Sequence, residues 1–267
     1  MTRAYERIRV ARDGGVETIT LASPARRNAI GPRMASELLW ALEDARAADQ
    51  VRAIVLTGEG EVFCAGGDFA EMASGVADWK VPRKGDVVDL WLALFHTEKP
   101  VVARVNGHAL GGGLGLAAAS TFAVASTTAK LGTPEIDVGL FPMTIMAVLA
   151  RQVPRRRLIE MMLLGEVFDA GEAARLGLVN RVVAPEKLDT EVKAITDSIL
   201  GKSPSAVRLG LRAFAAQDDL DLERALPMLR ECLAECIATD DAREGLRAFL
   251  EKRPPRWKEK ERDADDA

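Results

Sequence analysis

VVARVNGHALGGGLGLA, residues 101–117, is the stretch that decides the fold. VVARV reads as a buried strand, Asn106-Gly107 as its stop, and GGGLGLA as the opening of a short helix. Earlier in the chain FCAGGDF (63–69) repeats the arrangement directly after the apolar run VRAIVLTG (51–58). Each loop places small residues where a strand ends and a helix begins, so that uncovered backbone N–H groups can point at a ligand oxygen. One such loop signifies only close packing. Two loops, 47 residues apart from Ala65 to Gly112 and each after a core strand, can supply one N–H apiece to a single oxyanion. Neither is a nucleotide loop. No GK[ST] follows, and GHALGGG is not a GxGxxG with an acidic residue about 20 positions on.

Outward from these loops the pattern is α/β. RIRVAR and VETITL alternate around the turn DGG, SPARRN is a polar loop, and Pro32 opens a helix carrying Met34, Leu38, Leu39, Leu42 and Ala45 at three- and four-residue spacing. A helix over roughly Asp86 to His96 and a strand FAVAS (122–126) follow. Glycine loops after two strands predict a repeated ββα turn with parallel pairing rather than one dinucleotide-binding unit. Beyond about residue 142 the periods are helical: MTIMAVLAR, RRLIEMMLLG, AGEAARLGL, KLDTEVKAITDSILG, PSAVRLGLRAFAA, LERALPMLRECLAECIA and AREGLRAFLEK, interrupted by one short strand, NRVVA. The expected division is a core over 1–200, a helical region over 201–258 and a charged, disordered tail over 259–267.

The composition narrows the function. The chain has 267 residues, 48% apolar and 28% charged, which excludes wholesale disorder. A net charge of −4 makes a poor nucleic-acid binder, because phosphate neutralisation needs clustered Lys and Arg. Three cysteines (Cys64, Cys232, Cys236) do not pair off evenly, and MTRAYERIRV is no signal peptide, so a cytoplasmic protein with reduced thiols is expected. Residues 105–129 carry no formal charge, yet five glycines and many Ser and Thr argue against a membrane span.

SPARRNAI, FCAGGDF, NGHALGGG, LGTPEIDVGL, AARLGLVNRVV and FLEKRPPRW, in that order and spacing, resemble the crotonase (enoyl-CoA hydratase/isomerase) superfamily from about residue 5 to 258. The resemblance implies a spiral of ββα turns with a C-terminal helical region that assembles trimers, often paired as hexamers. It implies an acyl-CoA thioester as substrate, with the thioester carbonyl held between two backbone N–H groups. Carried over, those donors fall on Ala65 and Gly112, and a catalytic carboxylate on Glu135. Arg26, Arg27 and Ala29, with Gly66, Gly67 and Asp68, match the CoA-cradling region. Lys252 matches a basic residue that reaches CoA phosphate from a neighbouring chain, and Phe249 would help close the acyl tunnel. No metal or redox cofactor is implied, since coenzyme A arrives with the substrate. Hydratases of the family carry a second Glu where this chain has Gly115, and hydration needs two carboxylates to grip one water. The expectation is therefore 3-enoyl to 2-enoyl isomerisation. Hydration through another carboxylate, or a CoA-thioester-binding protein with vestigial catalysis, stay open.

The residues themselves add weight on both sides. Leu131, Ile136, Leu140 and Phe141 surround Glu135 with apolar groups that raise a carboxyl pKa, as a base working at carbon requires. Asp68 reads first as a helix cap. Glu71, Asp78, Asp86 and Glu98 read as surface charges, each a candidate second carboxylate. His96 and His108 read as structural, and Cys232 and Cys236 share one helix face without further metal ligands. Cys64 reads as a small buried hydrophobe. Arg155-Arg156-Arg157 opens a helix, where cations are disfavoured. The acyl chain length is not legible, because segment 72–98 has the least pattern.

Overall fold

A β-hairpin starts the chain: β1 (Ile8–Asp13) and β2 (Val16–Leu21) pair antiparallel about a turn in which Gly14 takes φ +51°. The structure, a computed structural model, describes residues 3–76 and 78–257, and the tail expected to be disordered at 259–267 lies outside the described residues. β1 is exposed along all but Ile8, as an edge strand is, whereas β2 alternates buried and half-buried positions. α1 (Pro32–Ala47) follows, with proline at its first position where a missing N–H costs nothing.

One motif then repeats three times. β3 (Ala53–Gly58), β4 (Val62–Cys64), α2 (Phe69–Ser74) and α3 (Val87–Phe95) form the first turn. β5 (Val101–Val105), β6 (His108–Leu110) and α4 (Gly112–Ala119) form the second. β7 (Phe122–Ser126), β8 (Lys130–Gly132), a 3-10 turn at Pro134–Val138 and α5 (Met143–Leu149) form the third. α6 (Arg155–Leu163), β9 (Val167–Asp169), α7 (Ala170–Arg175), β10 (Arg181–Val183) and α8 (Leu188–Leu200) complete the core.

In each turn the longer strand joins one sheet and the short strand another. The first sheet has the order β1-β2-β3-β5-β7-β10, parallel from β2 onward; the second runs β4-β6-β8-β9. This is the expected α/β spiral of ββα turns. β3 is buried at all six positions, which is why AIVLTG shows no alternation. On one face of the long sheet Ile19, Ile54 and Leu56 meet Leu38 of α1, Leu90 of α3 and Leu116 of α4; on the other, Val55, Val102 and Val124 meet Leu188, Val192 and Ile195 of α8. A strand beyond the single one expected after residue 142 is β9, which pairs antiparallel with β8. Three residues within GEVFDAG are too few to show a period of two.

α9 (Pro204–Gln217), α10 (Leu222–Ile237) and α11 (Asp240–Glu251) pack on one another. They leave Phe214, Leu222, Leu226, Leu233, Ile237, Leu246, Phe249 and Leu250 exposed. Among the described residues no helix is long and apolar enough to cross a membrane.

Candidate active site

The loop 22–31 shapes the first half of the site. Arg27 and Asn28 both take left-handed conformations, φ +53° and +56°. Asn tolerates this conformation, and burial makes it useful here. Fully buried Asn28 accepts from the Ser23 N–H (3.0 Å) and donates from Nδ2 to the carbonyls of Glu59 (3.0 Å) and Val62 (2.7 Å). The turn so fixed lays Ile30 beside the first glycine loop as a one-residue parallel bridge to Gly67.

Three amides are committed by that bridge and its flank. Ile30 N–H donates to the Gly66 carbonyl (2.7 Å), Asp68 N–H to the Ile30 carbonyl (3.0 Å), and Ala65 N–H to the Arg27 carbonyl (3.0 Å). Ala65, expected as an oxyanion donor, is therefore spent on the backbone, and that assignment is corrected. Amides of an extended segment alternate in direction. Hence the N–H of Gly67, between the bonded positions, points away from Ile30, and it has no hydrogen-bond partner among the described residues. No parity signal is legible at this loop, because AGG offers no side chains whose alternation would mark which amide faces in.

Gly111 and Gly112 supply the second half. Gly111 N–H donates to the Gly132 carbonyl (2.9 Å), and its φ of +51° turns the chain into α4. Gly112 is the first residue of that helix, so its N–H has no intrahelical acceptor and lies at the positive end of the dipole. The two loops abut. A methyl group built on Gly112 would stand 3.8 Å from the Gly66 carbonyl carbon, and one on Gly66 would stand 3.3 Å from the Leu110 oxygen.

Glu135 leans over the same turn. Its 3-10 turn begins after buried Thr133, and the Glu135 carbonyl accepts from the Leu140 N–H at 3.0 Å. A methyl on Gly111 would come within 2.7 Å of Glu135 Oε1, so the absence of a side chain at 111 makes room for the carboxylate. Glu135 Oε2 is buried and without a partner among the described residues. Burial raises the Glu135 pKa above the ordinary carboxylate value. The loops that carry Gly67 and Gly112 thus abut, with the Glu135 carboxylate beside Gly111.

Other expected site residues have different places. Asp68 caps α2, accepting from the Glu71 N–H (3.0 Å) through Oδ1, while Oδ2 pairs with Arg26 at 2.6 Å. Asp68 thus ties α2 to the loop 22–31, and Arg26 is shared with it. Arg27 is exposed, and Ala29 is half-buried. Phe249 is 81% exposed, so it closes no tunnel within its own chain; Lys252 terminates α11 at φ +54°. Glu71, expected at the surface, is buried and pairs with Arg7 and Arg33. Asp78 and Asp86 are exposed, and Asp86 caps α3 in a reciprocal box with Asp89. Glu98 is half-buried. His108 accepts from the Lys130 N–H (3.2 Å), and burial pushes the Cys64 thiol up to about 12. No cluster of three or more His, Cys, Asp or Glu suited to a metal occurs among the described residues.

At Gly115 a methyl group would come within 2.5 Å of Ile145 Cγ2 and 3.1 Å of Trp91 Cη2. Both neighbours are buried, and Trp91 Nε1 donates to Thr144 Oγ1 at 3.1 Å. Sequence reading had no access to this contact, since the three residues come from three different helices.

The family profile described as enoyl-CoA hydratase/isomerase matches residues 11–260. The short-chain-enoyl-CoA hydratase of Clostridium acetobutylicum is 34% identical over 246 residues, 91% of this chain and 94% of that protein. Among solved structures, enoyl-CoA hydratase from Mycobacterium smegmatis superposes with a TM-score of 0.87 at 37% identity, over 94% of this chain and 99% of that one. Human enoyl-CoA hydratase domain-containing protein 3 gives 0.86 at 30% identity, over 94% and 99%.

Proposed function

We propose, for a chain that belongs to the enoyl-CoA hydratase/isomerase family, that its acyl-CoA chemistry is the conversion of 3-enoyl to 2-enoyl thioesters. The observation that carries this reading is one unpartnered, half-buried carboxylate, Glu135, beside two unpaired amides, with hydrocarbon filling the face of Gly115. The thioester oxygen accepts from the N–H groups of Gly67 and Gly112. Glu135 takes a proton from C2, and the C–H electron pair passes through C1 to the oxygen as a dienolate. The two fixed donors hold that charge, each worth roughly 3–4 kcal/mol. The pair then returns: C1=O re-forms, C2=C3 forms, and the electrons of C3=C4 take the proton back from Glu135 at C4. One carboxylate suffices, and no atom is gained or lost. The chemistry calls for no metal or redox cofactor, because coenzyme A enters as part of the substrate.

The same reading assigns Arg27 and Arg26 to the CoA end, and Lys252 and Phe249 to the site of a neighbouring copy in a trimer or in a hexamer of trimers. The apolar faces left open on α9–α11 support the assembly. Three unpaired cysteines favour a reducing compartment such as the cytoplasm. Hydration is the second reading, favoured by the hydratase name borne by the Clostridium relative.

The test uses 3-enoyl-CoA and 2-enoyl-CoA in D2O, followed by mass spectrometry. Isomerisation with deuterium uptake at C2 or C4, faster than water addition, is expected. Faster hydration, untouched by Glu135→Gln, overturns the assignment. A structure with a non-reactive thioester should place its carbonyl oxygen about 3 Å from the nitrogens of Gly67 and Gly112. A carbonyl seated on Ala65 instead would reverse the correction made here.

A further inference from the structure

We infer that Trp91 and Ile145 determine reaction specificity by keeping water from the reacting carbons; the inference rests on the function proposed above. Gly115 follows Gly112 by three residues on α4, so the two share a helix face. Cα–Cβ bonds tilt toward a helix N-terminus. The volume in front of Gly115 therefore lies beside the turn that carries the Gly112 amide. That volume is filled: Ile145 Cγ2 and the Trp91 ring edge stand 2.5 and 3.1 Å from where a methyl on Gly115 would be.

The filling is held in place from three sides. α3, α4 and α5 pack on one another, bringing Trp91, Gly115 and Ile145 together. Trp91 is 5% exposed and Ile145 3%. The bond from Trp91 Nε1 to Thr144 Oγ1, one residue before Ile145, fixes the indole against α5. An ordered water needs two to four polar partners. With a thioester oxygen on the two amides, Glu135 Oε2 is the buried acceptor left at the start of α4, 3.6 Å from where a methyl on Gly111 would be and one turn from Gly115, and the wall itself offers hydrocarbon. Water addition would need the water oxygen to bond C3 while a proton arrives at C2. Isomerisation needs neither oxygen nor a second proton. The Trp91–Ile145 wall thus favours the reaction that returns the same proton.

The experiment compares wild type with Ile145→Ser and Trp91→Phe, and measures for each the ratio of 2-enoyl-CoA hydration to 3-enoyl-CoA isomerisation. Opening the wall should raise that ratio about tenfold, the size of effect a one-group change in an apolar pocket produces. Deuterium exchange at C2 should persist. A merely structural role would lower both reactions together and leave the ratio unmoved, which would overturn the inference. Ile145→Leu, which removes the Cγ2 methyl that faces Gly115 while keeping the side-chain volume, serves if either variant fails to melt cooperatively; it should shift the ratio in the same direction, and an unchanged ratio there also overturns the inference. Failure of the underlying function looks different. Wild type would then exchange no proton on any acyl-CoA offered.

Discussion

Glu135 is stored half out of water with one oxygen unpartnered, and its protonation links activity to stability. Its folded pKa is raised above its unfolded value by burial, so the folded state binds the proton more tightly than the unfolded chain does. Between the unfolded pKa, about 4.3, and the raised folded value, stability from this group falls as pH rises; above that window the penalty stays constant. Glu135→Gln is therefore expected to melt higher than wild type at pH 7–8, with the gain shrinking as pH falls through that window and gone below about pH 4.3, as scanning calorimetry across pH can check. The same substitution should slow C2 proton exchange by roughly 10²–10⁴-fold, since the amide accepts no proton, while acyl-CoA affinity changes little. Wild-type rate should rise with pH through an inflection above the ordinary carboxylate range, and the residual rate of the variant should lack it. A Glu after Thr-Pro was legible in the sequence as a candidate base. Which amides faced it was not, because Ala65 and Gly67 differ only in the direction of their N–H groups, and that direction is set by a bridge to Ile30.

At the scale of elements, the loop 22–31 and the cap of α2 hold the Gly67 amide in place. Asn28 makes three buried hydrogen bonds to Ser23, Glu59 and Val62, so Asn28→Ala should cost about 2–3 kcal/mol in urea unfolding, the penalty for leaving buried partners unsatisfied. It should also slow catalysis, because the Arg27 carbonyl that anchors Ala65 moves with the loop. Asp68→Ala should cost about 1 kcal/mol as a lost cap. Asp68→Asn keeps the cap and loses only the pairing with Arg26, whose exposed guanidinium is screened by solvent, so it should melt closer to wild type than Asp68→Ala does. Elements with terminal signals were legible: Asp86 and His96 bracket α3 as its caps, and Pro32 opens α1. The short strands β4, β6, β8 and β9 were not, because three residues stabilised by a neighbouring backbone carry no period of their own.

The whole molecule carries an unfinished surface. Leu222, Leu226, Leu233 and Ile237 run along α10 at four- and seven-residue spacing and are more than half exposed, beside equally bare Leu246, Phe249 and Leu250 on α11. Patches of this extent on a chain of this size mark association sites. Light scattering at micromolar concentration should give three or six chains, and Leu226→Glu with Leu233→Glu should lower the mass toward that of one chain and weaken CoA binding together. Retention of full mass by that double variant would place the interface elsewhere. By itself the sequence determined that strands alternate with helices in an α/β pattern and that helices dominate beyond about residue 142, because periodicity and caps are local properties; the spiral, and the grouping of Glu135 with two glycine loops, came from the resemblance carried by the order and spacing of its motifs. Only the tertiary structure decided that Gly67 rather than Ala65 offers its amide, that Glu71 is buried in ion pairs with Arg7 and Arg33, and that Trp91 and Ile145 fill the space before Gly115. Those outcomes depend on the direction of a backbone amide and on contacts among α3, α4 and α5, and side-chain identity along one segment encodes neither.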